Sequence, residues 1–384
     1  MRKKNVRIVF LAAGLSLFAI DALADWSPTK RLTWTSGSSF DPVIATDSGT
    51  HIHVVWSDYT SGNFEIYYKR STDAGATWDA IKRLTWTSGS SSNPAIATGS
   101  CGITHLFWSD RTPGNTEIYY KRSLDAGTNW SPAKRLTWTS GDSSYSAIGV
   151  DSSDALHVVW MDYTPDPSEI YYKQSTDAGV TWSPVKRLTW TAGGAYIPAI
   201  AIDADDAIHV VWHDFLPGDP AIYYKKSTDG GTNWSAAKRL TWASGMSYQP
   251  AVAAGSDNTI HVVWEADTPG NLEIYYKRST NGGTTWSAVK RLTWTSSSSY
   301  IPAMAIGSDN TIQIVWYDLT PGNYEIYSRQ SEDGGATWGA VKRLTWTSGT
   351  SMDPIIAVDL SNVFHLVYED NTPGNEEVYY KKGR

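Results

Sequence analysis

Cysteine is nearly absent from this chain: Cys101 is the only one among 384 residues. An intramolecular disulfide is therefore excluded, and so is a zinc site built on several thiolates. Long apolar runs are missing as well. The longest, Ile8–Ile20, has 13 residues, against the roughly 20 that a membrane-spanning helix needs. No window sustains a 3.6-residue hydrophobic period, so amphipathic helices are not expected. Basic residues are in the minority, 32 Lys and Arg against 39 Asp and Glu. An acidic chain is a poor partner for nucleic acid or for an anionic membrane surface. Nothing in the composition calls for a cofactor or a metal.

The N-terminus reads differently from the rest. Arg2, Lys3, Lys4 and Arg7 precede the apolar run, and Ala22-Leu23-Ala24 follows it as a small-x-small cleavage signal. The expectation is a secretory signal peptide over residues 1–24, followed by a single domain over 25–384 in a secreted or periplasmic location. Removing 1–24 takes four basic residues and one acid away, which leaves a net charge of −10. With no cysteine directly after the cleavage site, a lipid-anchored cysteine there is not expected, and no membrane insertion is expected once the signal is gone.

What the sequence does have is repetition. Lys-Arg-Leu-Thr-Trp occurs seven times, starting at Lys30, Lys82, Lys134, Lys186, Lys238, Lys290 and Lys342, always 52 residues apart. A fixed period of this length signals stacked supersecondary units. Within one unit four short runs have strand character: Pro42–Ala45, His51–Trp56, Glu65–Arg70 and Lys82–Trp86. Turn residues separate them, as in Asp47-Ser48-Gly49 and in Thr112-Pro113-Gly114-Asn115, where proline followed by glycine suits a type II turn. Four strands repeated seven times predict an all-β, seven-bladed β-propeller of four-stranded antiparallel blades. The last repeat lacks a fourth strand, whereas residues 26–34 form a fourth strand lacking the first three. The N-terminal strand is expected to close the seventh blade.

A second motif lies between the third and fourth strands: Ser71-Thr72-Asp73-Ala74-Gly75-Ala76-Thr77-Trp78, with five later copies ending at Trp338. The chain resembles the Asp-box, or bacterial neuraminidase repeat, propellers, which include the sialidases. The box aspartates Asp73, Asp125, Asp177, Asp229 and Asp333, with Asn281 in the fifth copy, are read as structural locks of a hairpin turn. One carboxylate per turn is too few for a calcium cage. The resemblance implies exo-sialidase parts: an arginine triad, a Tyr/Glu nucleophile pair and an acidic acid/base. Most arginines here recur from repeat to repeat, however, and only Arg111 is unique within the fold. Sialidase propellers have six blades, and this chain has seven repeats. Catalysis of that type is therefore not favoured.

Differences between repeats carry the remaining signal. All 20 tryptophans fall into three repeated positions, typified by Trp34, Trp56 and Trp78, with Tyr368 as the one replacement. Most are expected to pack between blades. Histidine recurs at the His53 position, with Gln313 in the sixth blade, and is read as a hydrogen-bonded structural residue. Variation concentrates at the entry to the first strand, from Phe40-Asp41 to Met352-Asp353, and in the loop after the second strand. Both lie on the face opposite the Asp-boxes, where recognition is expected. That face also repeats an acid and an aromatic plate. The candidate ligand residues are Trp34, Asp58, Trp86, Asp110, Trp138, Asp162, Trp190, Asp214, Trp294, Asp318, Trp346 and Asp370; Ala266 breaks the acid series. The alternative for each aspartate is a cap of its own loop. The expected function is a non-catalytic, multivalent carbohydrate-binding or adhesion propeller, with glycans or extracellular proteins as partners. A reduced glycosidase using Tyr317, Glu265, Glu369, His213 or Arg111, all of which break the repeat, is the alternative, and a protein-binding scaffold is the third.

Overall fold

The computed structural model describes residues 26–384 apart from 165, 217, 243–244 and 268–269. The expected signal peptide lies outside the described residues. Seven four-stranded antiparallel sheets account for all the regular structure among them. Blade 1 runs Ser39–Thr46, Ile52–Asp58, Glu65–Ser71 and Lys82–Arg83 from the axis outward, and blades 2–6 repeat it at intervals of 52 residues. Blade 7 takes its inner strands from Ser351–Val358, Phe364–Asp370 and Glu377–Gly383 and its outer strand from Lys30–Arg31. The closing register pairs Lys30 with Tyr380 and Arg31 with Tyr379, as Lys82 and Arg83 pair with Tyr68 and Tyr67 in blade 1. The fourth strand is shorter than its five-residue motif suggests. Only Lys82–Arg83 forms the ladder, so each exposed edge is two residues long, too short to template another chain.

The second strand is buried along its whole length in five of the seven blades, as in Ile52–Asp58, and at all but one residue in the other two. Its sequence is continuous rather than alternating because each blade is covered on both faces by its neighbours. Val55, Ile66, Tyr68 and Leu84 of blade 1 pack on Leu106 and Trp108 of blade 2. The same contact joins blade 7 to blade 1, where Leu32, Val378 and Tyr380 meet Ile44, Val54 and Trp56. A basic side chain supplies a polar tie across each junction, lysine at six and Arg329 at the seventh. The Lys69 ammonium donates to the Leu32 carbonyl at 2.7 Å, and Lys121 donates to Leu84 at 2.5 Å.

In the first Asp-box the aspartate bonds its own turn. Asp73 accepts from the Thr77 amide, the Thr77 hydroxyl and Ser71 Oγ at 2.6–2.7 Å. These bonds, led by the Thr77 hydroxyl, hold its carboxyl down at about 2. Asn281 reproduces the arrangement with its carbonyl on the Thr285 amide and its NH2 on Thr285 Oγ1. The box tryptophan ties its own turn to the preceding blade: Trp234 Nε1 donates to the Gly231 carbonyl of its own box at 3.1 Å. Trp78 packs edge-on against Tyr380 of the preceding blade, with centroids 5.0 Å apart. The box therefore locks one blade to the next.

Candidate functional site

The His53 series is structural. His53 Nδ1 pairs with Tyr68 Oη at 2.8 Å, and burial pulls the imidazole down to about 4, so it is neutral at ordinary pH. The second strand's tryptophans are buried at 0–2% exposure. The third series behaves otherwise. Trp34, Trp86, Trp138, Trp190, Trp294 and Trp346, together with Trp242, are 63–70% exposed at the ends of the outermost strands. Each indole lies over a cation of its own or the next blade. The Arg31 guanidinium and the Lys69 ammonium are both 5.5 Å from the Trp34 ring centroid. Arg31 in turn pairs with buried Glu377 at 2.7 Å.

The aspartates predicted beside these rings lie inward. Asp58, Asp110, Asp162, Asp214, Asp318 and Asp370 are 0–2% exposed. Asp58 Oδ1 accepts from the Thr60 amide at 2.8 Å, and Oδ2 accepts from Ser39 Oγ at 2.8 Å and Trp56 Nε1 at 3.3 Å. These are the contacts of a loop cap. Indole and carboxylate do meet in one notch of about 200 Å³ between blades 1 and 2, where Trp86, Asp110, Tyr119 and Lys121 are among the walls.

A second assembly sits on the axis. In every blade the first strand carries a bulge, for example between Phe40 and Val43. The bulge puts Asp41, Asn93, Tyr145, Ile197, Gln249, Ile301 and Asp353 at φ between 43 and 52°. Non-glycine residues seldom adopt this region, and β-branched isoleucine least of all. All seven line one mouth of about 370 Å³. The backbone is thus sevenfold while the side chains differ almost everywhere.

The mouth is chemically lopsided. At the junction of blades 7 and 1, Glu369 Oε1 accepts the Asp41 amide at 2.5 Å. Burial, then the charges of Asp353 and Asp41, push the Glu369 carboxyl well above its usual range. Burial and Asp41 raise Asp353 to about 6. Glu265 accepts the Ile301 amide at 2.7 Å, and burial raises it to about 7. Burial and then the negative charges of Asp353 and Glu265 push the Tyr317 phenol upward, away from a phenolate. Across the mouth the walls become aromatic: Tyr145, Tyr163, Tyr196, His213 and Phe215 enclose a cleft of about 470 Å³ between blades 3 and 4. Arg111 is exposed in its loop and lines neither cavity. No group of three or more His, Cys, Asp and Glu among the described residues is placed to hold a metal.

The sequence marks these positions as variable but does not bring them together. The missing step is the bulge, which turns the second residue of each variable pair to the axis. Its signal is the proline that follows in six of seven copies, such as Pro42 and Pro302. Proline has no N–H for the ladder, which confines it to edges and bulges.

Seven four-stranded blades, six of them carrying an Asp-box and the seventh closed by the N-terminal strand, make the chain a β-propeller similar to the bacterial neuraminidase repeat propellers. A family described as BNR repeat-containing family member matches residues 196–372. Among solved structures the chain is similar to an ulvan lyase of a new polysaccharide lyase family, at 11% identity over 91% of this chain and 95% of that one, with a TM-score of 0.67. It is also similar to a protein of unknown function from Dyadobacter fermentans (13% identity, 92% and 98% covered, TM-score 0.59). A third is the intramolecular trans-sialidase from Ruminococcus gnavus in complex with oseltamivir carboxylate (12% identity, 92% and 97% covered, TM-score 0.54). At such identities the likeness concerns the fold. No curated protein matches the chain in sequence.

Proposed function

We propose that this chain is an exported carbohydrate-binding propeller that engages glycans at several equivalent points. The observation that carries this reading is the ring of seven tryptophans, each 63–70% exposed at the same place in its blade. An indole this exposed is costly to leave in water, and its open surface suits the C–H face of a sugar ring. The predicted set Trp34, Trp86, Trp138, Trp190, Trp294 and Trp346 would form the contact surface, with Trp242 as a seventh. Asp58 and its copies would hold the loops behind them. Equivalent sites on a rigid ring give avidity without tight single sites. Two of the similar structures, a polysaccharide lyase and a trans-sialidase, are named for carbohydrate chemistry, which fits the reading. The test is a glycan array and calorimetry on the chain from residue 25 onward. Binding at several sites per chain, weakened by Trp86→Ala and lost on replacing all seven rim tryptophans, is expected. A clean array together with capture of extracellular proteins would favour the scaffold reading.

One observation favours a second reading, a glycosidase. The charges of Asp353 and Glu265 both raise the Tyr317 phenol, and Asp353 lines the mouth; paired carboxyls are the usual glycosidase machinery. Two observations weigh against it: the phenol is driven away from ionisation, and no guanidinium lines the mouth. Hydrolysis of a fluorogenic sialoside, abolished by Tyr317→Phe, would establish it.

A further inference from the structure

The rim indoles repeat, but the cleft between blades 3 and 4 does not. At the His213 position the other blades carry Ser57, Ser109, Met161, Glu265, Tyr317 and Glu369. His213 is 5% exposed and lies in the cleft wall. Tyr196 stacks on its imidazole with centroids 5.7 Å apart and planes at 19°, and Tyr248 meets it edge-on at 5.5 Å. Phe215 stands perpendicular to Tyr196 at 5.3 Å. The linker is altered to allow this. Gly194 occupies the place of Ser38 and Ser90, and a Cβ there would meet Tyr196 Oη at 2.7 Å. The tyrosine thus lies over a residue that has no side chain.

Two features of the cleft point to a ligand. His213 Nδ1 is buried and has no hydrogen-bond partner among the described residues; His53 Nε2 and His105 Nε2 also lack one, but of the three only His213 lies in the wall of this cleft. A buried polar atom without a partner is destabilising, and the expected compensation is a partner that arrives with a ligand. The lining is also uncharged. It holds no Lys, Arg, Asp or Glu, and burial lowers His213 to about 4, which leaves it neutral. An anionic sugar would find no counter-charge and would be desolvated without return.

We propose that the cleft walled by Tyr145, Tyr163, Tyr196, His213 and Phe215 is a single binding site for an uncharged sugar residue. The exposed rings of Tyr145, Tyr163 and Phe215 supply stacking faces, and the His213 imidazole supplies a hydrogen bond to a hydroxyl. The cleft volume of about 470 Å³ falls in the range of small-molecule sites. Tyr145 and Ile197 also line the axial mouth, so a chain longer than one sugar has a continuous path toward the axis. This inference rests on the carbohydrate-binding reading but concerns one site rather than seven.

The test is calorimetric titration of the whole chain with lactose, cellobiose and maltose, and with 3′-sialyllactose as the anionic comparison. One neutral disaccharide is expected to bind at one site per chain. His213→Ala and the surface variant Tyr163→Ala are expected to lower its affinity at least tenfold, and Trp86→Ala to leave it unchanged. On binding, the 15N resonance of His213 Nδ1 should shift, which a merely structural histidine would not show. Loss of multi-site binding with retention of this single site would remove the rim reading and leave the cleft standing. Failure of all three neutral sugars, equal binding by His213→Ala, or tighter binding of 3′-sialyllactose would overturn the cleft proposal.

Discussion

Glu369 of the last blade accepts the backbone amide of Asp41 in the first, at 2.5 Å across the closing junction. With Asp353 beside them, three acids meet at this partly buried junction beside the mouth, and desolvation raises the carboxyl of each. The folded pKa of Asp353, about 6, lies above its unfolded value of about 4. Between those values the folded chain holds a proton that the unfolded chain has lost. Stability from this group therefore falls as pH rises through the window. Asp353→Asn removes the titration and keeps a residue that accepts positive φ. The variant should match the parent near pH 4 and exceed it at pH 7.5 by about 2 kcal/mol. Urea unfolding at both pH values measures this, and the buried histidines cancel in the comparison. A stability difference independent of pH would show that the carboxyl is not strained.

The fifth Asp-box makes a prediction about the first. Because Asn281 bonds the same turn, Asp73→Asn should leave Tm within about 2 °C of the parent. Asp73→Ala, which loses all three bonds, should lower Tm clearly. Asp73 is held below its unfolded pKa, so its contribution is complete above about pH 4 and fades as pH falls toward 2. The asparagine variant should be free of that loss. Calorimetric scans at pH 7 and pH 3 would show it.

Gly127 and Gly114 separate steric from conformational need. Both have positive φ, 82° and 109°. A Cβ on Gly127 would lie 1.8 Å from Tyr68 Oη, whereas one on Gly114 meets nothing within 4 Å. Gly114→Ala should cost about 1 kcal/mol from backbone strain alone. Gly127→Ala should cost about 3 kcal/mol or more, because it also displaces the tyrosine that pairs with His53. Equal losses in denaturant unfolding would mean that the box glycine is needed only for its backbone.

Deletion of residues 25–34 tests the closure. It removes Leu32, 1% exposed between blades 7 and 1, and leaves buried Glu377 without Arg31. The whole ring should melt at a lower temperature in a single transition, and the uncovered strand Glu377–Gly383 should promote association. An unchanged Tm would show that the seam carries no load.

The period of 52, the four runs per repeat and the displaced fourth strand were enough to predict blade number, strand order and closure, because each is a matter of counting. Burial was harder to read. The Lys-Arg-Leu-Thr-Trp indoles and the His51–Trp56 indoles look alike in sequence, yet Trp34 is 65% exposed and Trp56 is fully buried. The difference lies in position across the blade, since the outermost strand has no sheet beyond it. The axial mouth was hidden more deeply. Asp41, Tyr145 and Ile301 stand 104 or more residues apart, and only the ring geometry brings them together.

The pairing of Lys30 with Tyr380 also orders events in time. A chain synthesised from its N-terminus presents the closing strand before any blade exists to receive it. Blades 1 to 6 can form as they emerge, since their contacts are local, but the seam waits for Glu377–Gly383. The ring therefore acts as a gauge of its own length. A product terminated early keeps an unmated strand at one end and an uncovered blade face at the other, both open to proteases and to aggregation. Only a chain that carries all its repeats can hide them.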